Sequence, residues 1–436
     1  MMPATETRSS GERAISPGQW FWRALLSMAD QALVSGANFL LAILFARWLS
    51  RHDYGAVSIG LSVFLLAANF HHALVLEPMS VLGPRRFSER LGRYFSAVLV
   101  AHAGAIVGLS FLVLLLAGLV SDEATARALG GLAASLPLVL TFWVLRRICY
   151  VRTDPAAAVR GGLAFLICAL AGAVLLRLAG WMNSASLFLA TGAGALSGGL
   201  ALLKSVGRTL EPEAALLGEV ARAHWSYGRW MVGVSLTYWL AHSAYAVLLG
   251  LGAGLAASAG LRAVENLLTP VLQLTGALSL LVLPRVSGQA QQAGGPYLRR
   301  FQRTAMTVAA ALVGGYLLCA WLLREPLMRV LYGPGAYAEL ARLVPVLALA
   351  TLVRGVSDLS LSTALKGAAR PEAHFAASLL AAAFVLTGGW SLIRRWDVTG
   401  AAWSMLASQT IQALVLAVFF ARITSGRERA RHDVVH

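Results

Sequence analysis

The feature that most constrains this chain is a series of about twelve apolar runs of roughly twenty residues or more, separated by short polar stretches. A hydrocarbon core about 30 Å thick needs about twenty helical residues at 1.5 Å each, and each run meets that length. They lie near 24–48, 55–82, 94–119, 128–150, 161–181 and 185–206, then 228–252, 256–283, 304–323, 343–365, 373–393 and 398–421. Because the runs are continuous rather than alternating, a transmembrane β-barrel is excluded. With 58% hydrophobic and 13% charged residues, the chain cannot cover a water-soluble globule with polar surface. The expectation is an all-α integral membrane protein of about twelve transmembrane helices.

A net charge of +16 would point to nucleic acid in a soluble protein, but here its distribution decides its meaning. With the N-terminus placed in the cytoplasm, about 25 Lys and Arg fall on cytoplasmic segments and about nine on outer loops, which is the positive-inside pattern. Both termini are therefore expected inside, and no nucleic-acid partner is implied. The basic clusters are Arg85, Arg86, Arg90 and Arg93; Arg146, Arg147, Arg152 and Arg160; Arg285, Arg299, Arg300 and Arg303; and the tail from Arg422 to Arg431. They read as topology signals and contacts with membrane-lipid headgroups. Trp20, Trp22, Trp48, Trp143, Trp181, Trp225, Trp230 and Trp396 stand near span ends as an aromatic belt. Cys149, Cys168 and Cys319 lack CxxC spacing, so neither a disulfide framework nor a metal site is indicated. The apolar run after the polar first 23 residues is too long for a signal-peptide core and reads as a retained first span.

Two stretches share one layout. Leu255 to Gly288 (LAASAGLRAVENLLTPVLQLTGALSLLVLPRVSG) and Tyr54 to Ser88 (YGAVSIGLSVFLLAANFHHALVLEPMSVLGPRRFS) both run from small residues through an apolar helix to a Pro- and Arg-bearing exit. A similar offset, about 208 residues, carries Pro137 onto Pro345 and the end of the fourth span onto that of the tenth. Two copies with an even number of spans, six in each, make a parallel repeat. The divisions expected are a cytoplasmic tail at 1–23, an N-terminal lobe at 24–206, a cytoplasmic linker with an amphipathic helix at 207–227, a C-terminal lobe at 228–421 and a basic tail at 422–436.

Charges deep in a membrane cost about 2.5 to 3.5 kcal/mol each on insertion scales, so the few present are functional candidates. Arg262 and Glu265 lie in the eighth span, Arg354 and Asp358 in the tenth, with Asp30 and Glu77 nearer the span ends. Each central arginine has an acid at i+3 or i+4, which would make a locally neutral ion pair that locks the bundle. Alternatively, the two guanidiniums line a cavity and receive an anion, since their planar forks match phosphate oxygens. Asp30, Glu265 or Asp358 could instead hold a coupling proton or sodium ion. Polar stripes add Gln31 and Asn38 on the first span, Tyr238 and His242 on the seventh, and Asn266 and Gln273 on the eighth as candidate cavity lining, with Thr269 on the same stripe of the eighth. His71 and His72 in the second span read as packed or interfacial groups. No Gly-rich loop with a lysine could cradle a nucleotide, and no cofactor is indicated. The largest outer loop, Leu323 to Glu339, leaves little room for an extracellular enzyme site.

The run SGANFLLAILFARWLSRHDYGAVSI from Ser35 to Ile59 resembles the start of polysaccharide exporters and O-antigen flippases of the multidrug/oligosaccharidyl-lipid/polysaccharide superfamily. The resemblance extends to the SAGL start of the eighth span, Leu283-Pro284, Leu331 to Gly333, and the Lys-Gly and Arg-Pro pairs after the tenth span. It implies two six-helix lobes around a central cavity that opens alternately to each side, in a transporter rather than an enzyme, located in the bacterial inner membrane. Its implied substrate is an undecaprenyl-diphosphate-linked oligosaccharide, flipped to the periplasmic leaflet for O-antigen or exopolysaccharide synthesis. A polysaccharide polymerase and a chain-length regulator are the candidate protein partners. The competing readings are a cation-coupled multidrug exporter of the same superfamily, which needs acids to dominate the cavity, and a membrane glycan polymerase or ligase.

Overall fold

The computed structural model describes residues 17–335 and 337–432; the outermost parts of the two tails, 1–16 and 433–436, lie outside the described residues. Every regular element among the described residues is helical. In the first half these are α1 (Pro17–Trp48), α2 (Arg51–Arg86), α3 (Leu91–Leu119), α4 (Glu123–Val151), α5 (Pro155–Leu178) and α6 (Ser186–Gly207). The second half contains α7 (Leu217–His242), α8 (Tyr245–Gly252), α9 (Leu255–Leu283), α10 (Gly294–Leu322), α11 (Arg324–Tyr332), α12 (Ala338–Gly367) and the long run Pro371–Ser425.

Ten of these helices are long and apolar enough to cross a membrane, and the pair α7 and α8, bent by 51°, makes an eleventh. The 55-residue run Pro371–Ser425 would be about 80 Å long if straight, far more than one bilayer. Its backbone leaves the helical region at Trp396 and Asp397, the latter with φ 47° and ψ −129°, so it folds back as α13 (371–396) and α14 (397–425). Divided there, the run supplies two segments of membrane-spanning length where the sequence has two apolar runs. A similar break separates α9 from α10 at Gly294, whose φ of 65° suits a residue without a Cβ.

Local sequence explains the short connections. Ser50 caps α2 by accepting from the Asp53 amide, Asp122 caps α4 from Thr125, and Asp154 caps α5 from Ala157 with Pro155 at its first position. In the first half α6 packs on α4 and α5, α1 on α5 and α3 on α4, whereas α1 barely touches α2; α2, α7 and α9 carry most of the contacts between halves. The helix that begins in the expected linker runs on without a break as α7, and Glu219 pairs with Arg86 and Arg90 while Glu211 and Glu213 pair with Arg93.

At one end the halves are joined closely. Arg51 pairs with Glu339 at 2.7 Å and stands 5.2 Å over the Tyr337 ring. Asn266 donates to the Tyr54 hydroxyl at 2.9 Å. Gly55 lies so near α9 that an added Cβ would sit 2.0 Å from the Leu255 carbonyl oxygen, so only glycine permits this approach.

Candidate functional site

A cavity of about 400 Å³ opens between the halves beside α9. Leu65 and Asn69 of α2 face Tyr238 and His242 of α7, Arg262, Glu265, Thr269 and Gln273 of α9, Thr351 and Arg354 of α12, and Met405 and Gln409 of α14. The residues of α9 recur at intervals of three or four, so one helix stripe supplies the polar wall. Leu268, Leu272 and Leu347 supply apolar surface beside it. An apolar hollow with a few convergent polar groups is the usual form of a small-molecule site.

The two arginines are held differently. Arg354 donates from Nη2 to the Tyr238 hydroxyl at 2.7 Å, and its Nε lies 3.6 Å from Asp358 Oδ2. The Tyr238 ring stacks on His242 with centroids 4.2 Å apart, and His242 is hydrogen-bonded to the Tyr238 carbonyl at 2.9 Å and to Gln412 at 3.0 Å. Gln412 donates in turn to Ser378 at 3.3 Å, which fastens the platform under Arg354 to α13. Arg262 lies 3.3 Å from Glu265, and Glu265 is within electrostatic reach of both arginines. Both ion-pair distances exceed the roughly 2.7 to 2.9 Å of a strong charge-assisted bond. The Nε of each arginine and Oε1 of Gln409 have no hydrogen-bond partner among the described residues. Such groups cost about 1 to 3 kcal/mol when left unmade, so the cavity holds unused donors and an unused acceptor that a ligand could satisfy.

The structure brings together Arg262, Arg354, Glu265, Tyr238, His242 and Gln273, with Asp358 at the edge on Arg354. It places four other sequence candidates elsewhere. Asp30 does not line the cavity: its side chain is 0% exposed, paired with Arg146 and hydrogen-bonded by the Tyr150 hydroxyl. Arg146, expected as a topology signal, is thereby an internal partner of α1. Gln31 is exposed and donates to Ser35 one turn on; Asn38 is exposed too, and neither lines the cavity. Asn266, though next to Glu265, points to the joined end and bonds Tyr54. Two residues of the aromatic belt, Trp48 and Trp143, pack edge-on against Phe45 and Phe64 instead of standing free.

Sequence reasoning missed Asn69, Thr351 and Gln409. The signal existed: SMLASQTIQ in the last apolar run places Ser404, Ser408, Gln409 and Gln412 on one side of a helix, as Thr351 precedes Arg354 by one turn. His71 and His102 form a separate buried pair at 3.0 Å, with Thr141 beyond His102 at 3.0 Å, all within the first half.

No protein-family model and no curated protein sequence matches the chain. Solved structures do share its fold. An inward-facing conformation of a multidrug resistance MATE family transporter of the MOP superfamily matches with a TM-score of 0.75 at 13% identity, covering 93% of this chain and 99% of the other. The lipid II flippase MurJ, in an inward closed conformation, gives 0.72 at 13% identity, covering 92% and 90%. A MOP superfamily transporter from Pyrococcus furiosus, described as having a binding pocket of reversed polarity that suggests a different function, gives 0.68 at 13% identity, covering 96% and 99%.

Proposed function

We propose that the chain is a transporter that flips an undecaprenyl-diphosphate-linked oligosaccharide from the cytoplasmic to the outer leaflet of a bacterial inner membrane, with both termini in the cytoplasm. The observation that carries this reading is the convergence of Arg262 and Arg354, from different helices, on one cavity between the halves. A diphosphate offers oxygens to both guanidinium forks, and the unpartnered Nε atoms supply donors that need not first be taken from a strong bond. Gln273, Gln409, Asn69, Thr269 and Thr351 would face the hydroxyls of the attached sugar, for which paired amide donors and acceptors are suited.

Alternating access supplies the movement. In this reading the end where Arg51 pairs with Glu339 and Gly55 abuts Leu255 is the outer one, held shut in this conformation, so that loading is from the cytoplasmic side. The likeness to a lipid II flippase supports a lipid-linked substrate, and the reversed-polarity relative supports pocket charge as the property that sorts substrates within this fold. O-antigen or exopolysaccharide synthesis is the pathway class this reading implies, with a polymerase and a chain-length regulator as partners.

The test is genetic. In a host lacking its own flippase for such a glycan, the wild-type chain restores surface polysaccharide, and Arg262→Ala and Arg354→Ala insert normally but do not. Full restoration by both variants would remove the diphosphate role.

One observation favours a second reading, a cation-coupled multidrug exporter. Glu265 and Asp358 balance the two arginines in formal charge, and a multidrug transporter shares the fold. That reading requires drug resistance to depend on Glu265 or Asp358 while surface polysaccharide does not.

A further inference from the structure

A second cavity lies well away from the first, where α4 ends, α5 begins and α6 ends. Its volume is about 540 Å³, and its lining comprises Arg152, Asp154, Arg160, Ala201, Lys204, Ser205 and Arg208. Four cations and one carboxylate surround it. Arg152 is fixed by donating to the Ser205 carbonyl at 3.0 Å, and Asp154 is engaged by the Ala157 amide at 3.1 Å and the Ser205 hydroxyl at 3.4 Å. Arg160, Lys204 and Arg208 make no hydrogen bond or ion pair among the described residues. Four basic groups around one hollow give it a positive potential that favours an anion.

The surface beside the cavity identifies the rest of the ligand. One helical period up from Arg160 on α5 stand Leu163, Ile167 and Val174, at 46%, 56% and 44% exposure. One period up from Lys204 on α6 stand Leu200, Leu196 and Leu189, at 58%, 47% and 44%. Exposed apolar residues therefore stand beyond the basic hollow on each of the two helices that frame it. A free phosphate would have no use for those residues, whereas acyl chains would.

We infer that the hollow lined by Arg152, Arg160, Lys204 and Arg208 binds the phosphate headgroup of an anionic phospholipid whose acyl chains lie along α5 and α6. A cationic pocket at the membrane surface of a helix bundle recognises such headgroups by charge and by guanidinium geometry. The lipid fastens α5 to α6 at their polar ends, on a face of the first half that is separate from the central cavity. The site does not depend on which substrate the transporter carries.

The test uses the purified full-length protein in detergent, titrated with phosphatidylglycerol, phosphatidylcholine or inorganic phosphate and observed by native mass spectrometry. Phosphatidylglycerol is expected to bind at least tenfold more tightly than phosphatidylcholine, and inorganic phosphate not to displace it. Each cation is worth about fivefold, so Lys204→Gln weakens phosphatidylglycerol by about that factor. The triple variant Arg160→Gln, Lys204→Gln, Arg208→Gln abolishes the preference. Those three side chains have no protein partner, so the variants should elute as the wild type does. Loss of three exposed cations elsewhere, Arg285→Gln, Arg300→Gln and Arg303→Gln, leaves the preference intact. The inference is overturned if wild type does not discriminate the lipids, if Lys204→Gln binds as wild type does, if the control variant loses the preference equally, or if inorganic phosphate displaces the lipid.

Discussion

Arg354 Nη2 donates to the hydroxyl of Tyr238 across 2.7 Å, joining α12 to α7 at the wall of the central cavity between residues 116 apart in sequence. The same tyrosine ring stacks on His242, and the guanidinium carbon stands 5.9 Å from the ring centroid. The bond thus fixes the direction of a charged fork that Asp358, at 3.6 Å, holds only loosely.

Removing that hydroxyl separates orientation from charge. Hydrogen bonds to charged groups are worth about 1.5 to 3 kcal/mol, so we expect Tyr238→Phe to lower transport about tenfold or more. Arg354→Ala should lower it further, and combining the two should cost no more than Arg354→Ala alone. Initial transport rates in vesicles check this; additive losses would mean that Tyr238 acts separately.

Close approach of the two halves at their joined end requires glycine at position 55. At position 55 a leucine would drive its Cβ into the Leu255 carbonyl, a backbone atom that cannot turn aside. Gly55→Leu should hold the two halves apart at that end. Spin labels at Glu123→Cys and Arg329→Cys, with the native cysteines replaced, should report a longer distance than in the same pair without the leucine.

The Asp30–Arg146 pair makes a prediction about stability. Breaking a buried pair by removing one partner costs about 3 to 5 kcal/mol, because the other charge is left uncompensated. Asp30→Ala should therefore lower the Tm of the detergent-solubilised protein more than the double variant Asp30→Ala, Arg146→Leu does. A lower Tm for the double variant would show that the pair is not the source of the effect.

Asp122, beside His52 at the joined end, gives a pH dependence. Burial pushes its carboxyl up, but hydrogen bonds from Thr125 and the nearby His52 and Arg127 outweigh this and hold it below its ordinary value. A depressed folded-state value means stability that is present above the unfolded value, about 3.9, and lost as pH falls through the folded one. Asp122→Ala removes the cap of α4, a change worth about 0.5 to 2 kcal/mol. We expect a lower Tm for the variant at pH 7 and a shrinking difference below about pH 4.

Much of this was legible in the chain. Run length alone sets twelve crossings, including the fold-back at Trp396 and Asp397 that the geometry confirms. The stripe of Arg262, Glu265, Thr269 and Gln273 was readable because helical period fixes which residues share a face. Asn266 shows where periodicity stops helping, since it borders the stripe but turns toward Tyr54, which only the docking of α2 on α9 decides. Asp30 shows the same limit: its partner is 116 residues away on a different helix. A polar residue in an apolar helix announces that it needs a partner, and the choice between protein and ligand is made by tertiary packing.

The most direct measurement is transbilayer movement in proteoliposomes carrying a fluorescent polyprenyl-diphosphate-linked sugar, with inaccessible label scored against time. Wild type is expected to move the diphosphate lipid faster than its monophosphate counterpart, with Arg262→Ala and Arg354→Ala each reducing movement to the protein-free rate. Equal movement of the two lipids, or wild-type rates in both variants, would contradict the account.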